Sequence, residues 1–264
     1  DNIAPTIPVA ILSSGGMTPK KAFAKDVTHY LAHAGLSQII TFSFMHKDGL
    51  TNMMLPEGDN RYTAIPILNP ISEEFPYMRT TLVPAVIEAA KRNIAQQNKD
   101  LWLFETANVY EPKALPLTEV PHERPMACGI MMGKVTEAAW NQAQRDTDFY
   151  DVKGVVDGLL AKLGLTQYDI QPSSESYYHP GVSAHYTVNG VTIANYGELH
   201  PQVVKNFDLS GKVYMFEIDL EAVLSIKVPP FRYQSFSKFP GTSRDLAIVA
   251  PVSVTSGDIV ALIK

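Results

Sequence analysis

The sequence is poor in the features that usually announce chemistry. Of its 264 residues only Cys128 is a cysteine. That excludes an internal disulfide and suits a reducing compartment. Neither CxxC nor HExxH occurs, so the common zinc spacings are missing. Gly15-Gly16 precedes a helical pattern, but without GxGxxG or a Walker lysine it offers no phosphate cradle. Ser13-Ser14 and Ser173-Ser174 lack the GxSxG setting of a nucleophile elbow and read as loops. No apolar run approaches the roughly 18 residues of a membrane-spanning helix, and no secretory signal is visible. No membrane partner is therefore expected, and the expected setting is cytoplasmic. Basic charge is scarce as well: 22 Lys and Arg against 27 Asp and Glu, a net charge of −5. That balance argues against a broad nucleic-acid footprint. The modest basic group Arg232, Lys238 and Arg244 leaves an RNA-binding module as an alternative.

What is present is an ordinary globular composition, 45% hydrophobic and 19% charged, organised around Asn69 to Tyr110. This stretch reads as an Asn-Pro turn, an acidic loop, a helix over Thr80–Asn93 and a strand. The helix sets Leu82, Val83, Val86, Ile87 and Ala90 on one face, with Glu88, Lys91 and Arg92 elsewhere. The strand LWLFETANVY puts Trp102 and Phe104 on one face and Leu101, Leu103 and Glu105 on the other.

Residues 1–17 read as a linker. Thr18-Pro19 opens a helix with a hydroxyl cap and a proline at the first position, and Gly35 closes it. Gln38–Met45 alternates, with Ile40, Phe42 and Phe44 together, as in a half-buried strand. Tyr62–Leu68 reads as a second short strand. Beyond the proline-rich excursion Glu111–Pro125, the run Met126–Gly133 suits a strand buried on both faces. Asp148 caps a helix with a Val/Leu stripe ending at Gly164, and Tyr168–Pro172 is a short strand. Asn189-Gly190 between AHYTV and VTIANY marks a type I′ hairpin. A short helix from His200-Pro201, a strand Val213–Asp219 and a boundary at Pro229-Pro230 follow. From Phe236 to Val249 a strand and turn are expected. A last helix follows, capped by Ser256, with Ile259, Val260 and Ile263 on its apolar side. The chain starts without methionine and stops within that helix, as a piece of something longer would. Hairpin-joined strands with few long helices predict an α+β fold with an antiparallel sheet flanked by helices.

Candidate chemistry is thin. His179, His185, Glu198 and His200 form the nearest thing to a constellation, open to loop anchoring or to a stand-alone metal- or histidine-dependent enzyme. Arg79 either binds a carboxylate or phosphate, or pairs with Glu73, Glu74 or Glu105. Cys128, without a basic neighbour, reads as a buried small hydrophobe.

Five segments in order are more specific: NPISEEFPYMRTTLVPAVIEAAKRN, KDLWLFETANVY, YHPGVSAHYTVNGVTIANYGELHP, VYMFEIDLEAV and FSKFPGTSRDLAIVAPV. Together they resemble the beta subunit of bacterial phenylalanine–tRNA ligase, across essentially the whole chain. The resemblance implies a non-catalytic, class II synthetase-like domain over residues 18–228, and the start of a truncated ferredoxin-like anticodon-binding domain over 231–264. It implies missing ATP-holding arginines: the first family position falls near Leu103–Thr106 and the second near Gly197–Pro201, and neither holds one. Many relatives carry arginine in the HPG loop where Val182 stands. The implied partners are the alpha subunit, in a full enzyme of two alpha and two beta chains, and tRNA. ATP and magnesium belong to that full enzyme, with none expected here. Leu82, Val83, Val86, Ile87 and Arg92 are the expected contacts with the alpha subunit; Arg79, Glu105, His179 and His200 are expected structural anchors.

Overall fold

The computed structural model describes residues 6, 15–136, 138–230, 232–233 and 235–263. Most of the expected linker, residues 1–5 and 7–14, lies outside them. The chain divides into two compact units at Pro229/Pro230.

The first unit opens with α1 (Pro19–His33), where Thr18 Oγ1 accepts from Lys21 N at 3.3 Å and Val27 and Leu31 turn inward. Then come β1 (Ser37–Gln38), β2 (Phe44–Met45), α2 (Asp48–Asn52), a 3₁₀ turn at Asn60–Tyr62, β3 (Tyr77–Met78) and α3 (Val83–Ala95). The long strands β4 (Leu101–Glu111) and β5 (His122–Met132) precede α4 (Phe149–Lys162). Asp148 and Asp151 close a reciprocal capping box there. β6 (Asp169–Gln171), β7 (Tyr178–Val188), β8 (Val191–Leu199), α5 (Pro201–Asn206), β9 (Val213–Asp219) and α6 (Leu220–Ser225) complete the unit. Asn189 and Gly190 turn β7 into β8 at φ of 53° and 78°, the positive values a type I′ turn needs.

Seven strands form one mixed sheet in the order β1-β4-β5-β9-β8-β7-β6, antiparallel except where β1 runs parallel to β4. Period-two alternation divides each central strand between two cores. Val213 and Met215 of β9 join Cys128, Ile130 and α3 on one face; Tyr214, Phe216 and Ile218 join the packing of α1, α4 and α6 on the other. Gly129 sits where a Cβ would meet the Phe216 ring at 2.4 Å, so the ring of Phe216 can lie across β5 here because its cross-strand partner is glycine.

Several expectations need correcting. The half-buried strand over Gln38–Met45 is two separate dipeptides, and Ile40 and Phe42 are 90% and 64% exposed. Tyr62–Leu68 contributes only the end of a 3₁₀ turn and an isolated bridge at Pro66. The acidic loop contains the short strand β3. The central helix begins at Val83, three residues after the expected start at Thr80, because Thr81 and Leu82 form the entry turn. β5 starts four residues early and passes through Pro125.

In the second unit, residues 235–250 hold no strand among those described. Its helix α7 (Ser256–Ile263) is capped by Thr255 instead of Ser256: Thr255 Oγ1 accepts from Asp258 N, and Asp258 accepts from Thr255 N at 2.9 Å. Val260 and Ile263 are exposed, not packed into a core.

Candidate functional site

The α3 face of the sheet does not close over its whole length. Beyond the N-terminus of α3, the ends of β4, β5 and β9 and the adjoining parts of β7 and β8 floor a cleft of about 790 Å³. Its walls carry Asp59, Arg61, Glu111, Lys113, Arg124, Glu175, Glu217 and Asp219, with Thr81, Thr192 and Asn195 between them.

Each described cation in the cleft already has a carboxylate. Arg61 grips Asp59 through Nε and Nη2 at 2.9 and 2.8 Å, and Nη2 also reaches Glu175 at 2.7 Å. Arg124 reaches Asp219 through Nε and Nη2 at 2.9 and 2.7 Å, and Glu111 through Nη1 at 2.8 Å. Lys113 pairs with Glu119 at 3.0 Å. Burial works against both guanidinium charges, yet these bonds hold both above the usual range. The bond from Arg61 in turn holds the Asp59 carboxyl below its usual range. Glu217, at the floor, accepts from Thr81 Oγ1 at 3.0 Å and from the Tyr177 hydroxyl, and burial pushes its carboxyl up.

Arg79 and Glu105 meet at 3.0 Å, both nearly fully buried. Arg79 also donates to Asn108 O, Thr41 Oγ1 and Phe42 O, while Thr41 donates to Glu105 through N and Oγ1. This closed knot ties the segment after β1 to β4 and leaves neither group a ligand-facing edge. The histidines serve their own loops. His179 Nδ1 accepts from Gly181 N, His200 Nδ1 accepts from Gln202 N at the start of α5, and His185 Nδ1 bonds Pro172 O. Among the described residues no group of three or more His, Cys, Asp or Glu is placed to hold a metal. Burial, with the fields of Glu217 and Glu105, pushes the Cys128 thiol up and away from nucleophilic use.

Leu82, Val83, Val86 and Ile87 are completely buried in the core of this chain, so they have no surface to give a partner. That part of the interface expectation is corrected. The amphipathic stripe is spent on packing α3 against β4 and β5. Arg92 alone of the five is exposed, on the outer side of α3 with Ala85 and Glu88. These three line a second hollow, a groove of about 610 Å³ with Phe42, Phe44, Phe75, Pro84 and Phe207. The Phe42 and Phe75 rings lie 5.9 Å apart. Asp48, Glu73, Glu74 and Glu88 line the same groove.

Sequence reasoning missed Asp59, Arg61, Arg124, Glu175 and Asp219, whose partners arrive from as far as 114 residues away. The exposure of Ile40 and Phe42 was equally hidden, because alternation looks the same in a core strand and in a contact surface.

The fold resembles that of pyrrolysyl-tRNA synthetase from Desulfitobacterium hafniense, with a TM-score of 0.58 at 14% identity over 78% of this chain and 68% of that one. In its large sheet and flanking helices the chain thus shares a class II synthetase-like fold. The family model for the phenylalanyl tRNA synthetase beta chain CLM domain matches residues 3–220. The chain belongs to that family. Phenylalanine–tRNA ligase beta subunits from Bacillus subtilis and Geobacter sulfurreducens are each 34% identical over the whole of it. It spans about a third of their length, 32% and 33% respectively.

Proposed function

We propose that this chain is a non-catalytic part of a phenylalanine–tRNA ligase beta subunit, serving as a platform for the catalytic alpha subunit in an assembly of two alpha and two beta chains. The observation that carries this is the self-paired cleft. Binding a triphosphate and stabilising the charge that develops during adenylation needs cations aimed at the ligand, and Arg61 and Arg124 are committed to carboxylates. The residues do not fit ATP. ATP and magnesium chemistry, and the tRNA, are assigned to the complete enzyme.

The alpha subunit is placed on the aromatic groove and the exposed Ile40–Phe42 segment. Four carboxylates line that groove, Asp48, Glu73, Glu74 and Glu88, with Arg92 as the one guanidinium. They favour a partner segment that presents apolar side chains flanked by Lys or Arg. The second unit is read as the start of a ferredoxin-like anticodon-binding domain, on the strength of FSKFPGTSRDLAIV. The first test is titration of phenylalanine and of ATP into the isolated chain, with no saturable heat expected; binding of either overturns the non-catalytic reading. Co-expression with the alpha subunit should give a complex that survives gel filtration, and its failure to form would overturn the platform.

A further inference from the structure

We propose, building on the non-catalytic reading, that the cleft is an anion site closed by its own carboxylates, which hold the positions that the oxygens of a multivalent phosphate would take. Asp59 meets the Arg61 fork through both its oxygens, the side-on geometry in which arginine takes a phosphate. Asp219 and Glu111 divide the Arg124 fork between them, using Nε, Nη1 and Nη2. All three nitrogens of that guanidinium thus face a carboxylate of the same chain.

Two features separate these pairs from a merely structural salt bridge such as Arg79–Glu105. That pair is sealed, with side chains 4% and 3% exposed. The cleft pairs instead stand at the wall of an open volume of about 790 Å³, with Arg61 and Arg124 at 22% and 34%. The rest of the wall mixes hydrogen-bonding side chains, among them Asn60, Thr80, Thr192 and Asn195, with the apolar Val109, Met126 and Ile193. A cavity of this size, with two guanidinium forks in its wall, takes a small polyanion once the counter-ions are gone. The present charge forbids it. Asp59, Glu111, Glu175, Glu217 and Asp219 outnumber Arg61, Lys113 and Arg124, five carboxylates against three cations.

Glu111 and Glu175 are the two counter-ions that can be removed with least disturbance. Their side chains are 44% and 26% exposed, and each leaves its arginine one carboxylate, Asp219 or Asp59. The experiment is calorimetric titration of inorganic tripolyphosphate at low ionic strength into wild type, E111Q/E175Q and E111Q/E175Q/R124Q, each shown to be folded by circular dichroism. The expected result is no saturable binding to wild type, binding at least tenfold tighter in the double variant, and loss of the gain in the triple variant. A folded double variant that binds no better than wild type overturns the proposal, as does a gain that persists without Arg124. If the double variant does not fold, E111Q alone carries the same comparison, with a smaller gain expected and none overturning it. The outcome is separable from the reading beneath it: ATP binding by wild type counts against the non-catalytic role, whereas an unchanged double variant counts only against the carboxylate closure.

Discussion

The two hollows on this molecule differ in what they leave unfinished. In the cleft, each described arginine is met by carboxylates of the same chain, so its electrostatics are complete before any ligand arrives. In the groove, Phe42 stands 64% exposed beside Phe75, and neighbouring Ile40 is 90% exposed. Burying a side chain of that size is worth roughly 1.5–3 kcal/mol, and here that gain is not taken. One hollow has its arginines paired within the chain; the other leaves aromatic and aliphatic surface uncovered.

The comparison breaks most visibly if the wrong face of α3 is changed. Val86→Asp puts a charge at a fully buried position and should cost at least about 4 kcal/mol. The cooperative melt followed by circular dichroism should be lost, in place of a selective loss of partner binding. Next in size is Arg79→Met, which strands Glu105 at a buried site and should cost about 3–5 kcal/mol in urea denaturation. Arg79→Met with Glu105→Leu should recover most of it, since an apolar pair replaces a buried ionic one at little net cost.

The double change Ile40→Asp, Phe42→Asp sharpens the contrast from the other side. Stability should move by no more than about 0.5 kcal/mol. Affinity for the alpha subunit, measured by surface-immobilised titration, should fall at least tenfold, or about 1.4 kcal/mol. An unchanged affinity would remove the groove from the interface.

The smallest effect is expected at Asp59. Its folded pKa is depressed by the hydrogen bond from Arg61. Its contribution is therefore present above the unfolded carboxylate pKa and is lost as pH falls through the folded value. Asp59→Asn should be less stable than wild type at pH 7, and the gap between their urea midpoints should close as pH drops below about 4.

Much of the framework was legible in the sequence because it is local. The caps at Thr18 and Asp148, the Asn189-Gly190 turn and the apolar stripe of α3 each declare themselves within a few residues. The cleft was not legible, since its ion pairs join Arg61 to Glu175 and Arg124 to Asp219 across 114 and 95 positions. The stripe of α3 was visible but ambiguous. An apolar face announces burial without saying against what, and Leu82, Val83, Val86 and Ile87 turned out to face their own sheet. The alternation at Ile40 and Phe42 carried the opposite ambiguity.

Asp219 joins two parts of the molecule that lie on opposite faces of the sheet. Its Oδ1 accepts from Glu221 N and Ala222 N at the head of α6, and its Oδ2 accepts from Arg124 in the cleft. Leu220 and Val223 of α6 are packed into the core on the far side of the sheet. One carboxylate thus acts as a rivet through the sheet. Pulling Arg124 away on the cleft side would slacken the first turn of α6 behind it, so a disturbance in the cleft should be detectable as faster amide exchange at Glu221 and Ala222.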